Sequence, residues 1–308
     1  MPTTDLHPDG DHLLDGAYLV DVHPGSRRRG PRPVVIVSVL VIALVLGGMA
    51  FVWHTVRDFA EGFGSSTCKA TAGAYTAQLD PDQMANAATI TAVAVRRSLP
   101  ARAATIAIAT ALQESKLRNI NYGDRDSVGL FQQRPSQGWG TADQIMDPVY
   151  SSGRFYDVLV KIPGWQTMEI TKIAQRVQRS AFPEAYAQHE GEGRALASTL
   201  SGHSPGGLGC RLEPLEDGDT RLTPAQVATH LRHELQARGT VVDQRLRVPT
   251  GSAEQAWLVG HWAVAHAQAY GLTSVVVGDR EWTRQRSKDG WGWQRTQRPA
   301  AARTVEIR

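Results

Sequence analysis

Residues 113–135 read QESKLRNINYGDRDSVGLFQQRP, and this stretch decides the fold. Its start finishes an apolar run, ARAATIAIATALQES from Ala101 to Ser115, with Ala, Ile and Thr on every side. That is the pattern of a helix enclosed by a domain rather than lying on its surface. Glu114 stands in the last turn. Desolvation and the negative end of the helix dipole both oppose a charge there, which suits a group that must hold its proton until it acts as an acid. The competing reading puts Glu114 at an exposed helix end, paired with Lys116 or Arg118. Beyond Glu114-Ser115 the chain enters a segment rich in Asn, Asp and Gly, then reaches Gly129-Leu130-Phe131-Gln132-Gln133. Gly129 permits close backbone approach, and the amides of Gln132 and Gln133 suit sugar hydroxyls and N-acetyl groups. A competing role for Gln133 is to tie the loop to neighbouring helices; Leu130 and Phe131 belong to the core on either account.

Outward from this stretch, Leu79 to Gln83 predicts a helix start, with Asp80 as N-cap, Pro81 at the first helical position and Gln83 reaching back. That helix runs to about Arg97, and Pro100 opens the next. Thr141 to Gln144 reads as a capping box and Asp147-Pro148 as another start, while Ile170, Ile173, Ala174 and Val177 recur at helical spacing. Pro163-Gly164 breaks the run, and Phe182-Pro183 opens a short helix carrying Glu184, Tyr186 and His189.

Glu-Ser, a turn-rich interval and Gly-Leu-Phe-Gln together resemble the lytic transglycosylase and goose-type lysozyme superfamily, with Phe131 where Met is common. The resemblance implies a lysozyme-like helical domain over residues 68–210 and a single acid/base, Glu114, acting on peptidoglycan. Glu114 would protonate the oxygen between N-acetylmuramic acid and N-acetylglucosamine. It would then act as base on the muramyl 6-hydroxyl or on water. Ser115, Gln132, Gln133 and Tyr186 are the expected substrate-binding residues, Ser115 having a hydrogen bond to the helix backbone as its alternative. The family's third motif, Ala-Tyr-Asn-Ala-Gly, is replaced here by VQRSAFPEAYAQHE, residues 177–190. Glycosidases commonly use two carboxylates. Asp124, Asp126, Asp143 and Asp147 follow Glu114, and their loop and helix-start positions suit structural work better than catalysis.

Upstream, residues 34–53 read VVIVSVLVIALVLGGMAFVW, twenty residues without a charge. This predicts a transmembrane helix, and Arg27, Arg28, Arg29 and Arg32 before it predict a cytoplasmic N-terminus. The expected location is the cell membrane, single-pass, with everything after Trp53 extracellular. The first 33 residues lack the apolar periodicity of a folded unit, and His7, His12 and His23 fit no metal spacing. Cys68 and Cys210 are the two cysteines, and on the outer side they are expected to pair, the alternative being two unpaired thiols.

Downstream, residues 211–222 read as a linker and 223–308 as a small α/β domain. Thr223-Pro224 starts a helix, TVVDQRLRV reads as a strand, Ser252 to Tyr270 as a helix, and SVVVGDREW as a hairpin about Gly278-Asp279. The helix and following strand are similar to the C-terminal half of a D-Ala-D-Ala carboxypeptidase-like module, without that module's metal-binding His and Asp pattern. A binding or positioning role follows, with Trp282, Trp291 and Trp293 as contact residues or, alternatively, as hairpin packing. His261 and His266 lie on different helix faces and read as ordinary core or surface residues.

The expected architecture is therefore mainly α: a cytoplasmic tail (1–33), a transmembrane helix (34–53), a juxtamembrane linker (54–67), the lysozyme-like domain (68–210), a linker (211–222) and the α/β unit (223–308). No cofactor or metal is expected. With 33 basic and 30 acidic side chains and a net charge of +3, composition names no nucleic-acid partner. The rival expectation is a non-catalytic membrane-anchored wall-binding or scaffold protein that retains the lysozyme-like fold.

Overall fold

Asp80 and Gln83 form the start foreseen for them: the Asp80 amide donates to Gln83 Oε1 at 2.9 Å, and helix α1 runs over Pro81–Arg96. The computed structural model describes residues 47–49, 66–178 and 183–308. Helix α2, Ala101–Ser115, is sheathed along nearly its whole length, as its all-round apolar surface requires. Helices α3 (Ala142–Met146) and α4 (Pro148–Leu159) start on the Thr141 capping box and on Asp147, whose carboxylate accepts from the Val149 amide at 2.8 Å. Helices α5 (Ile170–Gln178) and α6 (Glu190–Leu200) follow, the latter entered through a 3-10 turn, Pro183–His189.

A mainly α chain is not what forms. Strands β1 (Thr67–Ala72), β2 (Tyr75–Leu79) and β3 (Leu208–Arg211) make an antiparallel sheet in the order β2-β1-β3. The two-residue period is present, since Cys68, Ala70, Ala77 and Leu79 face inward. Small side chains conceal it, because Ala and Thr lack the bulk that marks a strand. Cys68 pairs with Cys210 across β1 and β3, and the two form the expected disulfide. Such a bond fits an oxidising compartment.

The second sheet belongs to the C-terminal segment and has six antiparallel strands. In chain order the segment contains α7 (Pro224–Leu235), β4 (Thr240–Val242), β5 (Arg245–Pro249), α8 (Ala253–Ala265), α9 (Ala267–Tyr270), β6 (Ser274–Val277), β7 (Arg280–Thr283), β8 (Gln294–Arg295) and β9 (Thr304–Ile307), with sheet order β4-β5-β9-β6-β7-β8. The stretch read as one strand, TVVDQRLRV, is a hairpin. Asp243 and Gln244 turn it with φ of 49° and 62°, a pair that suits the twist of two antiparallel strands. The hairpin foreseen at Gly278-Asp279 forms between β6 and β7.

The two segments share one core. Glu234 on α7 is buried, accepting from Thr89 Oγ1 on α1 at 2.8 Å and from Trp262 Nε1 on α8 at 2.9 Å, with His266 Nε2 3.6 Å away. A carboxylate out of water needs such partners.

The chain divides into two compact units, residues 1–58 and 59–308, and of the first only Gly47–Met49 are described, as helix open to solvent. Among the described residues no helix is long and apolar enough to cross a membrane. The expected span, 34–53, otherwise lies outside them, as do the tail 1–33 and most of the linker 54–67. A span needs about 20 continuous helical residues. The transmembrane topology and cell-membrane location read from hydropathy are therefore withdrawn.

Candidate functional site

Helix α2 ends just past Glu114 because Lys116 and Leu117 take left-handed conformations, with φ of 54° and 57°. Helix α1 accepts this turn: Gln83 Nε2 donates to the Lys116 carbonyl at 2.7 Å and Asn86 Nδ2 to the Leu117 carbonyl at 2.8 Å. These bonds satisfy carbonyls that a helix end leaves open. Glu114 is half-buried there.

Arg118, one of the cations expected as its partner, turns elsewhere. Arg118 forms ion pairs with Asp80 and, at 2.8 Å, with Asp82. Among the described residues no cation pairs with Glu114. Its partner is a hydroxyl: Tyr186, 1% exposed, donates to Glu114 Oε1 at 2.7 Å. The bond engages one carboxylate oxygen, Oε1. Beside it Gln188 Nε2 donates to Gln113 Oε1 at 3.3 Å, so the 3-10 turn and the end of α2 are joined by two side-chain bonds.

The Gly-Leu-Phe-Gln segment is a tight loop closed by Val128 and Gln133, whose backbones exchange hydrogen bonds of 3.0 and 3.1 Å. Gly129 has φ of 80°, and a Cβ there would meet the Ile145 carbonyl at 2.9 Å, so the close approach read from the sequence is real. Phe131 stacks on Phe155 with ring centroids 4.8 Å apart, in the core as foreseen. Ser115 and Gln133 turn inward. The Ser115 hydroxyl is buried and donates to the Leu130 carbonyl at 2.8 Å as well as lying 3.1 Å from the Ala111 carbonyl. Gln133 is 2% exposed and donates to the Ser151 carbonyl at 3.2 Å. Both residues, expected to touch substrate, instead fix the loop against α2 and α4.

Gln132 faces outward in part, with φ of 48°, an uncommon conformation for a residue with a side chain. Its amide nitrogen donates to the Gly129 carbonyl at 3.2 Å and reaches the Tyr122 carbonyl at 3.4 Å. Gly123 makes room for it, since a Cβ there would lie 1.9 Å from Gln132 Oε1. Tyr122, at the edge of this loop, is 70% exposed. Sequence reading passed over Tyr122, Gln113 and Gln188; an aromatic in a turn-rich loop was the available signal for the first.

Of the other carboxylates, Asp126 and Asp147 are committed to structure. Asp126 accepts from the Ser136 amide (2.8 Å), the Ser136 hydroxyl (3.0 Å) and Arg134 Nε (2.8 Å). These bonds, the Ser136 amide foremost, hold its carboxyl well below the usual range. Asp147 caps α4, and Asp124 is exposed beside Arg125. Among the described residues no cluster of three or more His, Cys, Asp or Glu is arranged to hold a metal.

The C-terminal tryptophans are packing residues. Trp282 Nε1 donates to the Gly290 carbonyl at 2.9 Å and Trp293 Nε1 to the Leu208 carbonyl at 2.7 Å, while Lys69 and Arg211 each place a cation over the Trp291 ring. They clasp the disulfide-bearing strand β3. His261 is wholly buried, its Nδ1 2.6 Å from the Thr199 carbonyl.

A scan against protein-family models gives no match to this chain, and a search of curated proteins gives none.

Proposed function

We propose that the chain cleaves peptidoglycan glycan strands between N-acetylmuramic acid and N-acetylglucosamine, as a lytic transglycosylase or muramidase, with Glu114 as its single acid/base. One observation carries the reading: a half-buried carboxyl at the end of an enclosed helix, paired with no cation among the described residues and held by a buried tyrosine hydroxyl. The Glu-Ser and Gly-Leu-Phe-Gln motifs, joined through Ser115 and Leu130, support the same assignment.

In this mechanism protonated Glu114 gives its proton to the glycosidic oxygen as the C1–O bond breaks. The substrate's N-acetyl oxygen supports the cation that develops at C1. The Glu114 carboxylate then removes a proton from the muramyl 6-hydroxyl, whose oxygen closes on C1, or from a water that attacks it. The carboxyl ends each cycle protonated. The Tyr186 hydrogen bond stabilises the carboxylate between the two steps.

A wall-binding protein without turnover is the second reading, favoured by the commitment of Asp126 and Asp147 to structure and by the altered third motif. Mass spectrometry of peptidoglycan digested by the full chain, wild type beside Glu114→Gln, separates the two. Release of 1,6-anhydro products by the wild type alone identifies a transglycosylase, and reducing-end products identify a hydrolase. No release by either protein, with glycan binding intact, leaves the binding role.

A further inference from the structure

Helix α2 and the chain from Tyr186 into α6 run antiparallel. Gln113 meets Gln188 at the Glu114 end, and a Cβ on Gly193 would touch Thr105 at 3.0 Å farther along. At the far end the two helices and the β1–β2 turn enclose a cavity of about 480 Å³, lined among others by Tyr75, Arg102, Thr105, Arg194, Ser198 and Ser204. Arg102 lies on the same stripe of α2 as Gln113, about 16 Å from it along the helix at 1.5 Å per residue.

The charge in this cavity is unbalanced. Arg102 is half-buried and its guanidinium donates to the Met168 carbonyl, but its Nε is buried without a hydrogen-bond partner and no carboxylate pairs with it among the described residues. Arg194 pairs with Glu190 through Nε and Nη2, which leaves Nη1 open. Of the two guanidinium groups only that of Arg194 is paired with an acid among the described residues. A cation withdrawn from water without a counter-charge is costly, and an anion entering the cavity would remove that cost. Ser198 and Ser204 are 3.0 Å apart through their hydroxyls, a bond that uses one proton and leaves the other for an acceptor. Tyr75 is 49% exposed and adds an aromatic face at the rim. A guanidinium fork matches carboxylate or phosphate alike; the neighbouring ring favours an anion carried on an organic chain over a bare one.

We propose that this cavity binds a peptide carboxylate, with Arg102 and Arg194 as its cationic donors and Tyr75 against the adjoining peptide. The identification of the ligand as the peptide stem of a wall glycan rests on the reading of the chain as a peptidoglycan enzyme. Such a site would bias the Glu114 centre toward strands that still carry their peptides.

Calorimetric titration of the full chain tests this with three probes: the peptide L-Ala-D-isoglutamine-L-Lys-D-Ala as free acid, the same peptide as C-terminal amide, and inorganic phosphate. The free acid is expected to bind, the amide and phosphate at least about 10-fold more weakly, and Arg194→Gln to weaken the free acid by a similar factor, as loss of one charge-assisted hydrogen bond does. Arg102→Gln should act in the same direction. Because Arg102 also holds Met168, the exposed Arg194 supplies the variant that leaves folding intact. Equal binding of acid and amide, equal binding of phosphate, no binding of the acid, or an Arg194→Gln protein that binds like wild type would each overturn the site. Peptide binding without glycan cleavage keeps the site and rejects the catalytic reading; cleavage without peptide binding does the reverse.

Discussion

Gly209 on β3 lies against the backbone of Trp291 so closely that a Cβ at Gly209 would be 2.3 Å from the Trp291 carbonyl carbon. That approach requires a position without a side chain, and the cations of Lys69 and Arg211 lie over the Trp291 ring at 4.8 and 4.7 Å. The 3-10 turn Lys288–Trp291 thereby docks on the strand that carries Cys210. Gly209→Ala should push that turn away, and since backbone cannot yield as a side chain can, we expect a loss of roughly 1–3 kcal/mol, the usual cost of overpacking. Urea unfolding measures it; an unchanged midpoint would mean the turn is not seated on the strand.

Tyr186→Phe keeps the buried ring and removes only the hydroxyl that donates to Glu114. A hydrogen bond to a charged group is worth about 1.5–3 kcal/mol, so turnover should fall about 10-fold to 100-fold. On the proposed role of Glu114, steady-state kinetics on glycan strands should show the loss in kcat with KM little changed, because the hydroxyl bonds to Glu114. A loss confined to KM would contradict that placement.

Ser115→Ala leaves the Leu130 carbonyl without its side-chain donor in a buried place. The expected cost is about 1–3 kcal/mol of stability, readable as a lower melting temperature. If Ser115 acted instead on substrate, glycan affinity would drop while the melting temperature held.

His261 carries a pH dependence of stability. Burial pushes its imidazole down to about 4, with the Thr199 carbonyl opposing the shift, against about 6.5 in an unfolded chain. Between these values the unfolded state binds the extra proton. Stability from this group is therefore complete above about pH 6.5 and is lost as pH falls toward 4, by about 3 kcal/mol if unrelaxed. Denaturant unfolding from pH 7 to pH 4 should show a decline that is smaller in His261→Gln. Parallel curves for the two proteins would remove His261 as its source.

Residues 68–308 show how legible this chain is and where it stops being so. The starts at Asp80, Thr141, Asp147 and Thr223 were readable because a cap is a local contract: a side chain satisfies an amide two or three residues away, so the information lies within one turn. The place of Glu114 in the last turn of α2 was legible for a similar reason, since an unusually apolar run ends there. The strands around Cys68 and Cys210 were not, since Ala70 and Ala77 bury without looking apolar enough to show a period of two. Gly209 had no sequence signal, because its importance comes from a loop some 80 residues away in the chain.

Among the candidate site residues the division follows the same rule. Local sequence determined that Glu114 ends its helix and that Gly129 turns the following loop. Tertiary packing alone decided that Arg118 turns to Asp80 and Asp82, that Tyr186 reaches Glu114, and that Ser115 and Gln133 face inward. It also decided that the tryptophans clasp β3 and that Glu234 joins the two segments through Thr89. Side-chain direction in a loop or at a helix end depends on what lies opposite, and the opposing residue is set by chain crossings that no short-range pattern encodes.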